Sequence, residues 1–217
     1  MKDFKTFLIQ RLQQSLPGEN AQNLMRPVPE YEKSGKLAYS PKDQNFRNSS
    51  VLVPIITWKD ELEIIFTLRA SGIKHAGQIS FPGGGREGDE SFEETAIREA
   101  HEEIGLQMDN VETVGSLSPL YINHSEHLVT PIVGFLHTEQ EFCANPNEVD
   151  EIFTVPISMF LKDEINRTED WNLREINYKV PLWEVHEVPL WGATAMMLSE
   201  FVEIYREFHT HINHSAS

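Results

Sequence analysis

One stretch constrains the fold of this chain more than any other: residues 81–106, with the sequence FPGGGREGDESFEETAIREAHEEIGL. Pro82 and the three glycines after it predict a tight turn in which the backbone can approach a neighbouring element closely. Gly105 is placed to end a helix as the residue just after its last turn. The stretch therefore predicts a glycine loop, a helix and a sharp stop.

The helix within this stretch carries three glutamates on one face. Glu99, Glu102 and Glu103 are related as i, i+3 and i+4, which places them within an arc of roughly 100°. A neighbouring arc is apolar and should face the core; its members are Phe92, Ala96, Ile97, Ala100 and Ile104. Three like charges at this spacing repel one another unless a counter-charge is present. Hard divalent cations such as Mg²⁺ take oxygen ligands and supply that charge.

A solvated, charged helix face is the alternative interpretation of these glutamates. Glutamate-rich helices usually face water, and Glu94 with Arg98 forms an ordinary i,i+4 pair. The glycines favour a site instead, because a carboxylate face closed by glycine turns at both ends is much rarer than a charged helix.

The spacing of residues 84–106 resembles the Nudix box, G-x5-E-x7-R-E-U-x-E-E-x-G-U, in which U is aliphatic. Every fixed position is present, with the small residue Ala100 at one U position. The resemblance implies an α/β Nudix fold, an α/β/α sandwich with a mixed central sheet flanked by helices. It also implies hydrolysis of a nucleoside diphosphate linked to another moiety, with Mg²⁺ or Mn²⁺ as cofactor.

The same resemblance implies roles for the box residues. Glu99 and Glu103 would be the main metal ligands, and Glu102 would be a further ligand or the base that activates water. Arg98 would orient Glu99 and pair with Glu90.

Other site residues lie in loops. Gly84 would shape the glycine loop, and the carbonyl of Gly83 or Gly84 would help to hold the metals beside the substrate. In Nudix folds a loop carboxylate outside the box sometimes acts as the base, and Glu148 is the candidate here. The alternative for Glu148 is an ordinary charge at the start of a helix.

The segment before the box resembles a narrower pattern, that of the coenzyme A pyrophosphatases within the Nudix group. Residues 66–70 (FTLRA) and 77–84 (GQISFPGG) match this pattern. Arg69 and Lys74 are therefore expected to bind substrate, with plain surface charge as the alternative. Lys74 stands where the group usually has arginine, and lysine lacks the two-point fork that arginine offers to phosphate.

Two features further along bear on the same subgroup. Residues 125–127 read Ser-Glu-His where many coenzyme A relatives have Ser-Gly-Phe, whereas residues 190–195 (LWGATA) are similar to the start of the family's last helix. Tyr121 either stacks on a nucleobase or packs in the core.

Composition limits the other classes of function. The 217 residues are 40% hydrophobic, which suits one sizeable core. With 18 basic and 34 acidic residues the formal charge is −16, so nucleic acid and anionic membranes are not expected partners. The single cysteine, Cys143, fits a reducing compartment. No apolar run reaches the ~20 residues that span a bilayer, and the N-terminus has no secretory signal, so the expected location is cytoplasmic.

Taken in order, the chain predicts one Nudix domain, residues 46–208. An N-terminal helix and surface arm in residues 1–50 precede it, and a flexible tail, residues 209–217, follows. Strands are predicted at 51–57, 62–68, 111–121 and 128–136, a short helix at 157–161, a loop with one short strand at 162–180, and a last helix ending at about Phe208.

The expected partner is a small nucleotide substrate. The resemblance implies coenzyme A or an acyl derivative, cleaved to 4′-phosphopantetheine or its acylated form and adenosine 3′,5′-bisphosphate. ADP-ribose, a dinucleotide cofactor or a diadenosine polyphosphate remain alternatives, because the box recognises the diphosphate and the metal. A domain that senses nucleotides without hydrolysis is a further alternative, although such domains typically lose box glutamates. A homodimer is one assembly that the sequence leaves open.

Overall fold

The computed structural model describes residues 2–30, 46–72, 75–122 and 125–215, so the predicted substrate residue Lys74 lies outside the described residues. The α-helices are α1 (Lys2–Arg11), α2 (Glu19–Gln22), α3 (Phe92–Ile104) and α4 (Gly192–Ser215). Short 3₁₀ turns occupy Asn23–Met25, Met108–Asn110, Ile157–Leu161 and Asp163–Ile165. The strands are β1 (Val28–Pro29), β2 (Arg47–Trp58), β3 (Glu61–Arg69), β4 (Ile79–Ser80), β5 (Gly83–Gly85), β6 (Val111–Ser116), β7 (Leu120–Ile122), β8 (His127–Leu136), β9 (Val149–Pro156), β10 (Asn166–Leu173), β11 (Ile176–Trp183) and β12 (Leu190–Trp191).

A mixed sheet forms the centre of the described chain. Its main path runs β4-β3-β2-β8-β6, and β5, β7 and β9 add to β2, β8 and β3. β2 lies parallel to β8, whereas its pairings with β3 and β5 are antiparallel. β2 is apolar on both sides, with Leu52, Val53 and Ile55 fully buried, as expected for a central strand covered on both faces.

Helices cover both faces of this sheet. On one face α3 buries Ala96, Ala100 and Ile104, a 3.6-residue stripe, against a core that includes Leu52 and Ile65. On the other face α1 and α4 pack over a larger core; its fully buried side chains include Leu8, Phe66, Phe81, Phe160 and Phe201. The fold is thus the predicted α/β/α sandwich with a mixed central sheet.

The N-terminal segment is packed into this sandwich. Phe4 of α1 is 1% exposed and packs edge to face, in T-shaped geometry, with the rings of Phe201 and Tyr205. The fully buried Glu200 of α4 accepts the N–H of Gly18 at 2.8 Å and the N–H and hydroxyl of Ser118 at 2.9 and 2.7 Å. A buried carboxylate with three donors therefore ties the α1–α2 connection to α4.

Residues 162–180 differ from the prediction of a loop with one short strand. β10 and β11 form an antiparallel hairpin there, which joins β1 and β12 in a second, four-stranded sheet. Arg174 and Glu175 make its turn with φ values of 52° and 67°, the left-handed backbone that a two-residue hairpin turn requires. Neither residue is a glycine, and most of β10 is exposed, so the usual sequence signals of a hairpin are missing.

Two other boundaries differ from the prediction. The segment predicted as one strand at 111–121 is divided into β6 and β7, with a register shift between Thr113 and Gly115. α4 continues to Ser215, past the predicted end near Phe208. No helix in the described ranges is long and apolar enough to cross a membrane.

Candidate active site

Local signals fix both ends of α3. Ser91 accepts the N–H of Glu94 at 3.1 Å through its hydroxyl, and Glu94 accepts the N–H of Ser91 at 2.7 Å, which makes a reciprocal capping box. At the other end Gly105 adopts φ 67° and ψ 26°, a backbone that glycine takes without steric cost. These caps set which residues of α3 face the sheet and which face the glycine loop.

The glycine loop lies directly against α3 as strand β5. Gly83–Gly85 pairs with Ser49, Ser50 and Val51 of β2. A Cβ on Gly84 would lie 2.5 Å from a carboxylate oxygen of Glu99, and a Cβ on Gly83 would lie 2.5 Å from the Ser50 carbonyl oxygen. Glycine is therefore required for β2, the loop and the Glu99 carboxylate to meet at this distance.

Two carboxylates of α3 are held in this narrow space. Glu103 is 3% exposed and accepts the N–H of Gly83 at 3.1 Å. Burial raises the pKa of Glu103 to about 7, and burial likewise raises the pKa of Glu99. Both carboxylates lose hydration here, so their charged forms need a counter-charge nearby.

Arg98 lies beside these carboxylates with all of its donors in use. Its Nε donates to Glu90 Oε1 at 2.7 Å, and its Nη2 donates to Glu90 Oε2 at 3.2 Å. Nη2 also donates to the Gly85 carbonyl at 3.0 Å, and Nη1 donates to Glu99 and Glu102 at 3.1 and 3.3 Å. An arginine has five N–H groups, so Arg98 is occupied by the protein and acts as an organiser of the site.

Glu90 is the anchor for this arginine. Besides the two bonds from Arg98, its Oε2 accepts the hydroxyl of the fully buried Thr95 at 3.0 Å and the N–H of Glu87 at 3.2 Å. The hydrogen bond from Arg98 is the main reason that the pKa of Glu90 falls to about 2. Glu90 therefore stays ionised and holds the guanidinium in one orientation.

The remaining two carboxylates are more accessible. The Glu102 side chain is 51% exposed and one of its oxygens accepts from Arg98. Glu148 is half-buried in the turn before β9, and its charge raises the pKa of both Glu99 and Glu103. The structure thus brings a loop carboxylate within electrostatic reach of the box glutamates.

The predicted substrate residues are spread more widely. Arg69 ends β3 opposite Val149 of β9, and its charge acts on Glu103. Tyr121 is half-buried on β7, opposite Leu128 of β8. Because β7 and β5 are separated by β8 and β2, three strand spacings of about 4.8 Å put Tyr121 about 14 Å from the glycine loop.

The donor set fits a hard divalent cation such as Mg²⁺ or Mn²⁺. Glu99 lies against Gly84 and Glu103 accepts the N–H of Gly83, so the two carboxylates contact adjacent residues of the glycine loop, and burial disfavours the charge of both. Within the described residues, no three His, Cys, Asp or Glu side chains are already arranged to hold a metal.

Two contributors were missed by sequence reasoning. Thr95 supports Glu90, and Asn145 contacts Glu148 through its side-chain amide at 3.4 Å. The string Asn145-Pro-Asn-Glu is a turn signal and could have indicated the second contact. No sequence signal distinguishes Thr95 from any other helical threonine.

Comparison with known proteins agrees with this geometry. A family model for the NUDIX domain matches residues 47–176. The chain is 33% identical over 189 residues to "Nudix hydrolase 15, mitochondrial" of Arabidopsis thaliana, covering 83% of this chain and 66% of that protein. It is 35% identical over 161 residues to the "Uncharacterized Nudix hydrolase NudL" of Photorhabdus laumondii, covering 73% of this chain and 85% of the relative.

Solved structures show the same fold at low sequence identity. The Nudix hydrolase RenU from M. smegmatis aligns with a TM-score of 0.51 and 16% identity, over 74% of this chain and 86% of that chain. A MutT/nudix family protein from Enterococcus faecalis aligns with a TM-score of 0.50 and 17% identity, over 91% and 72%. The domain match and the relatives above 30% identity together show that this chain belongs to the Nudix hydrolase family.

Proposed function

We propose that this protein is a divalent-metal pyrophosphohydrolase that cleaves the diphosphate of coenzyme A or of an acyl derivative. The products are 4′-phosphopantetheine, or its acylated form, and adenosine 3′,5′-bisphosphate. The observation that carries the hydrolase chemistry is that Glu99 and Glu103 contact adjacent residues of the glycine loop, Gly84 and Gly83, and that Arg98 donates to Glu99.

Glu99 and Glu103 are the proposed metal ligands. Glu102, on the same face of α3, is the proposed third carboxylate ligand. A Mg²⁺ or Mn²⁺ ion held there would neutralise the diphosphate and lower the pKa of a bound water. Arg98 orients Glu99 and Glu102 through Nη1. The carbonyls of the glycine loop line the site on the side of β5.

The proposed base is Glu148, with Glu102 as the alternative. One Glu102 oxygen is already bonded to a guanidinium, whereas the partner of Glu148 is a neutral amide. A carboxylate that is not tied to a cation is the better proton acceptor. Water then attacks one phosphorus, the other phosphate leaves, and no covalent enzyme intermediate forms.

The choice of coenzyme A rests on residues before the box. The charge of Arg69 acts on Glu103, which supports our proposal that its guanidinium binds a phosphate next to the diphosphate. Tyr121 pairs with Leu128, and Leu128 pairs with Asn48. Asn48 and Ser50 lie on the same face of β2, and Ser50 pairs with Gly84, so Tyr121 and Gly84 are on one face of the sheet. A ring about 14 Å from the glycine loop suits a long substrate with a nucleobase at one end.

Two alternatives remain within reach of experiment. ADP-ribose, a dinucleotide cofactor or a diadenosine polyphosphate would use the same carboxylates with different contacts at Arg69 and Tyr121. A non-catalytic nucleotide sensor is less well supported, because the described site retains each box carboxylate. A cytoplasmic location is also proposed, since the single cysteine fits a reducing compartment.

A substrate panel tests the proposal directly. Purified protein is incubated with Mg²⁺ or Mn²⁺ and coenzyme A, acyl derivatives, ADP-ribose, reduced nicotinamide cofactor or diadenosine polyphosphates. Mass spectrometry in ¹⁸O-water identifies the products and the phosphorus that is attacked. We expect adenosine 3′,5′-bisphosphate and phosphopantetheine with the highest kcat/KM. A higher kcat/KM for another substrate would reassign the substrate, and tight binding without products would indicate a sensor.

A further inference from the structure

We propose that Asn145 is a positioning residue that aims the Glu148 carboxylate at the site. The proposal rests on the function proposed above, in which Glu148 accepts a proton. It is carried by the hydrogen bonds that residues 143–149 make with the end of α3 and with one another.

Residues 143–145 are hydrogen-bonded to the C-terminal end of α3. The N–H of Asn145 donates to the Glu103 carbonyl at 2.9 Å, and the N–H of Cys143 donates to the Ile104 carbonyl at 3.0 Å. Helix ends leave carbonyls without helical partners, and these two bonds satisfy two of them. Asn145 is therefore held directly to the main chain of a proposed metal ligand.

Residues 145–149 form a turn directly after this contact. The carbonyl of Asn145 accepts the N–H of Glu148 at 2.9 Å and that of Val149 at 2.8 Å. Its side-chain oxygen accepts the N–H of Asn147 at 3.2 Å, as in an Asx turn. The main chain of Glu148 is thereby fixed relative to Glu103.

The side chain of Glu148 contacts the side-chain amide of Asn145. Asn145 Nδ2 donates to Glu148 Oε1 at 3.4 Å, a hydrogen bond at the long end of the range, and this contact is the one to which we assign the orientation of the carboxylate. The carbonyl of Glu148 accepts the N–H of Ala70 at 2.9 Å, which places the turn beside Arg69. An amide can orient a carboxylate and leave it basic, whereas a lysine or arginine partner would stabilise its charged form.

A purely structural role in the turn is the competing explanation, and Asn145→Asp separates the two. The aspartate keeps the main-chain bonds and the acceptor for Asn147, but it replaces the Nδ2 donor by an oxygen that repels Glu148. Asn147→Ala is the control for the turn, because it removes the side-chain hydrogen bond from Asn147 Nδ2 to Asn145 Oδ1 but keeps the main-chain N–H of residue 147 that Asn145 accepts and keeps the Asn145 Nδ2 donor.

The kinetic test is a double-mutant cycle with Asn145→Asp and Glu148→Gln. We expect Asn145→Asp to lower kcat about tenfold or more with KM and substrate-free Mn²⁺ affinity nearly unchanged, and to have little further effect in the Glu148→Gln background. Asn147→Ala should leave kcat within about threefold of the wild type. Equal losses in both backgrounds, or a loss matched by Asn147→Ala, would overturn the positioning role.

A second measurement does not depend on turnover. In ¹⁵N-labelled protein, the side-chain amide resonance of Asn145 should shift when Glu148 is changed to Gln, and it should stay in place when the exposed Glu102 is changed to Gln. An Asn145 amide that is insensitive to Glu148→Gln contradicts the proposal even if the enzyme is active. The converse outcome is an Asn145 amide that responds to Glu148→Gln in a protein that hydrolyses none of the substrates in the panel. That result would refute the proposed function and leave the contact between Asn145 and Glu148 established.

Discussion

Arg98 and Glu90 form a two-point ion pair, with Nε to Oε1 at 2.7 Å and Nη2 to Oε2 at 3.2 Å. This pairing leaves Nη1 as the part of the guanidinium that faces Glu99 and Glu102. The orientation of two site carboxylates therefore depends on a residue that precedes the helix.

Arg98→Lys should lower metal affinity and kcat on the order of 10- to 100-fold. A lysine keeps the charge, but it cannot hold Glu90 at two points and reach Glu99 and Glu102 at the same time. Mn²⁺ binding measured by electron paramagnetic resonance and steady-state kinetics check this. Arg167→Lys, in an exposed pair with Glu184, is the control and should change neither quantity. Wild-type metal affinity in Arg98→Lys would refute the organising role.

Glu103→Gln should reduce turnover by more than about 100-fold while the fold is retained. Glutamine can still accept the Gly83 N–H through its amide oxygen, and burial already disfavours the charge of Glu103. The loss of a charged oxygen therefore affects metal binding more than packing. Circular dichroism, Mn²⁺ titration and kcat are the measurements. Near-normal Mg²⁺-dependent turnover would remove Glu103 from the list of ligands.

Gly84→Ala should weaken metal binding, whereas Gly85→Ala should not. A Cβ at Gly84 would lie 2.5 Å from the Glu99 carboxylate, so that side chain must move, while a Cβ at Gly85 meets nothing within 4 Å. We expect at least about a tenfold loss of Mn²⁺ affinity for the first variant. Equal effects of the two alanines would mean that the loop backbone, and not the Glu99 carboxylate, is what the substitution disturbs.

The ion pair of Glu90 with Arg98 should stabilise the metal-free protein in a pH-dependent way. Arg98 lowers the pKa of Glu90 from 4.5 to about 2, so the contribution is full above about pH 4.5 and is lost as the pH falls towards 2. The wild type should therefore have a higher melting temperature than Glu90→Gln at pH 7. This difference in melting temperature should shrink as the pH falls from about 4.5 towards 2. Melting temperatures in EDTA at a series of pH values measure it. A difference that is constant from pH 7 to 2 would show that the ionised form of Glu90 does not matter.

Glu200→Gln should destabilise the protein by about 1–3 kcal/mol, the cost of leaving a buried donor unpaired. The carboxylate accepts from Gly18 and Ser118, and an amide must turn a donor towards one of them. Glu203→Gln on the same helix, in a more exposed pair with Arg206, should cost less than about 1 kcal/mol. Urea unfolding gives both values. Equal stability of the two variants would show that the hydrogen bonds of Glu200 to Gly18 and Ser118 contribute little to the free energy of unfolding.

Sequence reasoning reached the helix and its carboxylates because the signals are local. The spacing of Glu99, Glu102 and Glu103 and the stop at Gly105 predict a helix, and α3 ends at Ile104 as expected. The apolar arc was also predicted correctly in its centre, since Ala96, Ala100 and Ile104 are fully buried. The sandwich fold followed from the resemblance and is confirmed by the sheet and its two helical layers.

The hairpin of β10 and β11 escaped prediction for a physical reason. Most of β10 is polar and exposed, so this strand gives little apolar signal, and the turn uses Arg174 and Glu175 in a backbone that glycine or asparagine would normally signal. Pairing with β1 and β12 stabilises the hairpin through contacts that are distant in sequence. Local propensity does not report such contacts.

By itself, the sequence determined one thing about the site: a capped helix that presents a cluster of carboxylates. Tertiary structure decided which oxygen meets which partner, with Gly84 against Glu99, Gly83 bonded to Glu103, and Asn145 in contact with Glu148. The reason is that helix spacing is set by hydrogen bonds within a few residues, whereas these distances depend on how β5 and residues 143–149 pack on α3.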